Sequence, residues 1–264
     1  MENELTIRLS TFLILFLLFA LLESYWPRRK RAYSRLSRWP THWALTAINA
    51  LILRALSFGL PLLAVGAAID ASQAGLGLFN KLNWPIWLEF TICILILDLS
   101  IWLQHVITHK VPFLWRLHRV HHADVDMDVT TAIRFHPIEI ALSMLLKIGL
   151  VYLIGPAALA VIIFEVLLNG TAMFNHANIN IPKPIDAVLR KIIVTPDMHR
   201  IHHSKIRLEH DSNYGFALSI WDRIFGTYTD APQESHEEMN VGLEWQDHRT
   251  TRLGWTLWLP FGHK

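Results

Sequence analysis

Cysteine is almost missing from this chain of 264 residues; Cys93 is its one copy. That excludes an internal disulfide framework and a thiolate cluster for zinc. Cys93 falls inside an apolar run and reads as a small buried hydrophobe. Charge is scarce too. Asp, Glu, Lys and Arg form 17% of the chain, and a net charge of +2 leaves no electrostatic footprint for nucleic acid. There is no low-complexity tract, and the only internal repeat is a histidine motif. What is abundant is apolar: 52% hydrophobic residues and a mean hydropathy of +0.30, above an ordinary soluble domain. Histidine is the other surplus, with 15 copies.

The apolar residues are arranged as membrane crossings. Leu5 to Leu22 is close to the ~20 residues that span a bilayer. Arg28, Arg29, Lys30, Arg31, Arg35 and Arg38 follow it, which places its C-terminal end in the cytoplasm and the N-terminus outside. That order also argues for a retained helix rather than a cleaved signal peptide. The second run, Trp43 to Ile69, contains Arg54. It is expected to divide into an interfacial helix over Trp43–Ala50 and a crossing from Leu51, with Arg54 reaching the headgroups. Asp70–Asn83 reads as an outer loop, and Trp84 to Leu103 returns to the cytoplasm. Ile138–Ile154 and Ala157–Phe174 are joined by Gly155-Pro156, the mark of a membrane hairpin, either spanning or re-entrant. Lys147 and Glu165 lie nine residues on either side of Pro156, so they should reach the same depth and pair. The polar remainder reads as a cap of short helices. The expected fold is an all-α integral membrane protein, a helical transmembrane bundle with a cytosolic histidine-rich cap. Residues 1–83 would form an N-terminal transmembrane hairpin, 84–230 a metal-binding unit, and 231–264 a C-terminal interfacial tail.

The histidines are not scattered. His118-Arg-Val-His121-His122 is repeated as His199-Arg-Ile-His202-His203, and composition alone would place far fewer than one such cluster. Offsets of three and four put these imidazoles on one helix face. His105 and His109 share the i, i+4 relation, while His136 and His176 stand singly at the mouths of the hairpin. The ten (His105, His109, His118, His121, His122, His136, His176, His199, His202 and His203) all fall on the cytosolic side of a topology drawn from charge and hydropathy. Imidazole suits Fe, Zn, Cu and Ni, and ten donors exceed what one ion accepts, so two metals are expected. His42, His210, His236, His248 and His263 lack ligand spacing. A metal transporter would place its ligands near the bilayer midplane, so this arrangement speaks against transport.

At these residues the chain resembles the fatty acid hydroxylase superfamily, which includes sterol desaturases and sphingolipid and fatty acid hydroxylases. The resemblance runs from Asp98 to about Thr227. It is carried by Asp98, His105-x-x-x-His109, Trp115-Arg-Leu-His118-Arg-Val-His121-His122, Arg134-Phe-His136-Pro137 and Asn175-His176-Ala-Asn178. Thr195-Pro-Asp-Met-His199-Arg-Ile-His202-His203, Asn213-Tyr214-Gly215 and Trp221-Asp222-Arg-Ile-Phe225-Gly-Thr227 complete it. Val106 and Trp102 depart from the common form of the first box. The resemblance implies two non-haem irons on the ten histidines, with zinc possible in isolated protein, and O2 as co-substrate. It implies hydroxylation or desaturation of an acyl, sterol or related lipid C–H bond, and the residues do not choose between the two. No His-Pro-Gly-Gly haem loop is present, so a separate donor of ferredoxin or cytochrome type, fed by an NAD(P)H reductase, is expected. Asp98, two turns before His105, is expected to accept an imidazole N–H. The implied location is a bacterial inner membrane. A redox-inert zinc-binding membrane protein is the alternative of a different class.

Overall fold

A backbone in hydrocarbon must satisfy its own N–H and C=O groups, and long apolar runs therefore become helices. The computed structural model describes residues 4–59, 63–82, 84–245 and 248–262, and contains no strand among them. Its long helices are α1 (Glu4–Tyr25), α2 (Arg35–Gly59), α3 (Leu63–Gln73) and α4 (Ile86–Lys110), followed by α5 (Pro112–His122), α6 (Pro137–Ile154) and α7 (Ala158–His176). Short helices build the cap: α8 (Lys183–Leu189), α9 (Pro196–His202), α10 (Arg207–His210), α11 (Ile220–Ile224) and α12 (Leu253–Trp258). Five segments are long and apolar enough to cross a membrane: Leu5–Tyr25, Arg35–Gln73, Ile86–Lys110, Pro137–Ile154 and Ala158–His176. The chain is a helical membrane bundle carrying a histidine-rich cap.

One expected boundary is absent. α2 runs unbroken through Ala50 and Leu51, so Trp43–Ala50 is no separate interfacial helix. No Gly or Pro interrupts it between Trp43 and Phe58, and Arg54 finds an exposed place with its guanidinium 5.8 Å from the Phe58 ring centre. The outer loop also starts later than Asp70, because α3 continues to Gln73; Asn83 lies outside the described residues.

α3 packs Ala64, Val65, Ala67 and Ala68 against Ile148 and Val151 of α6 and Val161 and Ile162 of α7. Small residues let these backbones approach closely, the usual device where lipid gives no hydrophobic drive between helices. The hairpin pair forms as its spacing requires. Lys147 Nζ donates to Glu165 Oε1 at 2.8 Å, and Arg8 of α1 reaches Glu165 Oε2 at 2.6 Å. Two further connections tie α1 and α2 to the loop after α5. Glu23 accepts the backbone N–H groups of Val129 and Asn178, and Arg38 is held between Asp124 and Asp128 at 2.5 and 2.8 Å. At the C-terminus, Leu243 and Leu259 are buried with Leu45 and Val120, while Trp258 and Phe261 stay exposed.

The hairpin turns at Gly155, which takes the left-handed conformation (φ 64°) and lies against Gly77 (φ 89°) of the preceding loop. A Cβ on Gly77 would collide with the Gly155 backbone. Gly77→Ala should therefore lose roughly 1–3 kcal/mol. Gly149→Ala, in a helix with open space around it, should gain about 0.5–1 kcal/mol. Unfolding of both variants in detergent micelles checks the contrast, and equal effects would contradict the packing of this turn.

Candidate metal centre

Each histidine is presented by a rigid element. His105 and His109 occupy the last turns of α4, and Val111-Pro112 then redirects the chain into α5, where Pro112 fits the first helical position. α5 carries His118, His121 and His122. His176 ends α7. α9 starts from Thr195, whose hydroxyl accepts the Met198 N–H, with Pro196 behind it; it delivers His199 and His202, with His203 at its C-cap. All nine are at most 4% exposed. They fall into two groups with ligand nitrogens within 4.8 Å of one another: His105, His109, His118, His122 and His202, and His121, His176, His199 and His203.

Four of the rings have an identified Nδ1 partner. His105 donates to the Tyr214 carbonyl (2.6 Å), His176 to Ala172 (2.7 Å) and His202 to Ser212 (2.7 Å), while His118 Nδ1 bonds Glu139 Oε1 at 2.6 Å. A proton held at Nδ1 leaves Nε2 as a bare acceptor, the form that ligates a metal. These acceptors face one another. His105 Nε2 lies 3.0 Å from His118 Nε2, and His176 Nε2 lies 3.0 Å from His121 Nε2 and 3.2 Å from His199 Nε2. Both nitrogens of His109, His122 and His203 are buried without a hydrogen-bond partner, as is His202 Nε2. Two nitrogens each ~2.1 Å from one cation and at right angles about it would be about 3.0 Å apart. The donor set therefore fits two metal ions, held by five and four imidazoles.

Electrostatics points the same way. Burial pushes His118 down to about 3. Burial first, and the neighbouring imidazoles second, hold His121, His122, His199, His202 and His203 well below the ordinary histidine value. Neutral imidazole is the ligating form, so protons compete weakly for this site. The sign for stability follows from linkage. With folded values depressed, the unfolded chain binds more protons below its own pKa of about 6.5, and stability falls as pH falls. Metal-stripped protein should lose stability from about pH 6.5 downward, with a slope of more than one proton. Titration of unfolding against pH checks this, and a flat profile between pH 4 and 7 would contradict it.

Not every expected residue joins. His136 stands outside both groups: its Nδ1 accepts the Ile138 N–H as the N-cap of α6, and Nε2 is 3.3 Å from the Leu257 carbonyl. Pro137 sets that cap and so turns the ring onto its own helix. Asp98 does not receive an imidazole either. Seven residues put it on the face of His105 but ~10 Å along the axis, too far to touch it. Its Oδ2 accepts Trp221 Nε1 at 2.8 Å and Leu218 N at 3.3 Å instead. Asn213 and Asp222 act as turn and packing residues. Asp222 accepts from Tyr214 N, Gly215 N, Trp102 Nε1 and Thr227 Oγ1, which fixes the carbonyl that orients His105.

Two residues were missed. Glu139 is the only acid in α6, and a carboxylate in an apolar helix calls for a partner; that signal could have found it. His210 lies 4.7 Å, ring to ring, from His109 and groups with His109 and Asp211. Its sequence spacing gave no sign. Among the other histidines, His42 bonds Thr130 Oγ1, His236 lies 3.6 Å from Asp197, and His263 is outside the described residues.

The model of the fatty acid hydroxylase family matches residues 90–227, which include all nine grouped histidines. The chain belongs to the fatty acid hydroxylase family. It is 26% identical over 201 residues to ornithine lipid hydroxylase OlsE of Rhizobium tropici, covering 76% of this chain and 59% of that protein. Alkylglycerol monooxygenase of Xenopus tropicalis is 34% identical over 149 residues, 55% of this chain and 30% of its own. The human alkylglycerol monooxygenase is 32% identical over 166 residues, 63% and 35%. The chain thus spans less than two thirds of the length of each relative. No solved structure matches it.

The purified protein is expected to hold two metals through the nine histidines of the two groups. His109→Ala or His203→Ala should lower the bound metal below two per chain, while His136→Ala and His236→Ala should keep both ions. Elemental analysis of the four variants decides; metal loss in His136→Ala would restore that residue to the ligand set.

Proposed function

We propose that this protein is an O2-dependent lipid hydroxylase, with two irons held by the nine grouped histidines. The observation that carries the reading is the position of the imidazoles. His105 and His118 line one part of a cavity of about 420 Å³ whose other walls come from the apolar helices. A lipid can reach the metal site through that space without crossing water. The names of the relatives, a lipid hydroxylase and monooxygenases acting on alkylglycerols, support the same class.

Bound iron would supply the oxygen activation, and the protein supplies ligation, orientation and exclusion of water. The reaction balances as R–H + O2 + 2 e⁻ + 2 H⁺ → R–OH + H2O. The two electrons come from a separate ferredoxin- or cytochrome-type donor with an NAD(P)H reductase. Within the chain, Tyr214, Ser212 and Ala172 carbonyls and the Glu139 carboxylate keep four rings in the ligating tautomer. Phe135 stacks on His121 with ring centres 4.4 Å apart, and Phe216 lies 4.9 Å from His105; together they give the inner wall an apolar, water-excluding face. By the charge distribution of the first two helices, the cap lies in the cytosol of a bacterial inner membrane, where reductant is available.

The test is lipid mass spectrometry of cells with and without the gene, followed by membranes supplied with NAD(P)H and donor. A lipid gaining one oxygen in the presence of the protein, and only with O2, is expected. A product two hydrogens lighter would assign desaturation instead. Turnover under strict anaerobiosis, or protein loaded with zinc alone in iron-replete cells, would overturn the reading.

A further inference from the structure

The cavity that starts at His105 and His118 ends at a charged cluster inside the bundle. Lys147, Glu165 and Arg8 all line it. Glu165 spends both oxygens on the two cations, at 2.8 and 2.6 Å. Lys147 gives one of its three ammonium hydrogens to Glu165 and has donor capacity left for a ligand. Asn49, across the same space, is 7% exposed; its Nδ2 donates to the Phe135 carbonyl, and its Oδ1 is buried without a hydrogen-bond partner. Covering an ion cluster in the cavity wall with a hydrocarbon chain alone is costly, because the chain returns no hydrogen bond. Ligand sites use a few placed polar groups on apolar walls to fix orientation.

Resting on the functional reading above, we propose that Lys147, held in place by Glu165, which Arg8 fixes in turn, is the anchoring subsite for an oxygen acceptor of the lipid substrate, a carboxylate or a carbonyl. The helices set the reach. Lys147 follows Glu139, the partner of His118, by eight residues on α6, and Glu165 precedes His176 by eleven on α7. At 1.5 Å per residue the anchor lies ~12–16 Å along the helix axes from the metal site. Substrates are therefore lipids with an oxygenated group at that distance from the carbon attacked. A plain hydrocarbon is not a substrate. Lys147 also becomes a determinant of which carbon is oxidised, since shifting the anchor shifts the chain past the metals.

The experiment separates binding from turnover. Native mass spectrometry of the metal-loaded protein is run with palmitic acid, methyl palmitate and hexadecane as probes. The acid and the ester should bind and hexadecane should not; binding of the acid alone would restrict the anchor to carboxylates. Lys147→Met should weaken binding of the acid by about tenfold or more, the loss of one charge-assisted hydrogen bond, with two metals still bound. Lys147→Arg should restore most of it. In Lys147→Met, Glu165 keeps its ion pair with Arg8; if that variant still does not fold, the comparison of acid, ester and hexadecane on the unaltered protein carries the measurement. Equal binding of hexadecane, or binding indifferent to Lys147, would overturn the proposal. Lys147-dependent binding without any oxygen-dependent product would instead overturn the functional reading and leave the subsite standing.

Discussion

Nine imidazoles packed into a buried interior are the constraint on which the structure turns. Facing lone pairs at about 3 Å repel, and the interior offers neither of the usual reliefs. Protonation is opposed by burial and by every neighbouring ring. Hydrogen-bond partners are missing for both nitrogens of three of the rings. Cations are the remaining relief. The arrangement must still be held in place while the chain folds, and backbone carbonyls do that. His105 depends on the Tyr214 carbonyl, Tyr214 depends on Asp222, and Asn213 beside it takes a left-handed φ of 51° while bonding Met198 and Thr229. Loss of Asp222 would reach the His105 ring through Tyr214.

The membrane helices contribute more than an anchor. α2 drives Arg38 into the loop after α5, where it meets Asp124 and Asp128 with all three side chains at most 2% exposed. Burial pushes the Asp124 carboxyl up, but the Arg38 guanidinium prevails and holds it well below the usual carboxylate range. Such pairs add little net stability over apolar residues of like size, yet removing one partner is expensive. Their effect here is on register: Asp128 also caps the turn Val129–Ile133 that leads to Phe135 and His136. Glu23 does the same from α1. His42, Asp124 and Asp128 also lie close enough to share an ion, but Arg38 already bonds both carboxylates, which argues that this group is structural.

Spacing made much of this legible. The repeated H-x-x-H-H clusters and the i, i+4 pair at His105 gave eight of the nine grouped histidines, because a helix converts those offsets into one face; His176 came from its place at the end of an apolar run. Matched distances from Pro156 gave the Lys147–Glu165 contact. The misses share a cause. His136 and Asp98 were placed by position along the chain, but the direction of a side chain depends on the cap before Pro137 and on where Trp221 arrives from a distant segment. Arg54 suggested a broken α2, although a charge on the outer face of a helix needs no break. Glu139, an acid in an apolar helix, carried a signal, but no local pattern encodes that its partner is His118.

The two histidine groups are not equivalent, and the cavity shows in what way. His105 and His118, which line it, both belong to the group of five, and none of the group of four lines it. His121, His176, His199 and His203 lie behind, with Phe135 and Phe216 between parts of them and the open space. On the proposed function, the lipid therefore meets the five-histidine group first. The side that the substrate would meet follows from which side chains reach the cavity: His105 from α4 and His118 from α5 line it, together with Phe135 and Phe216.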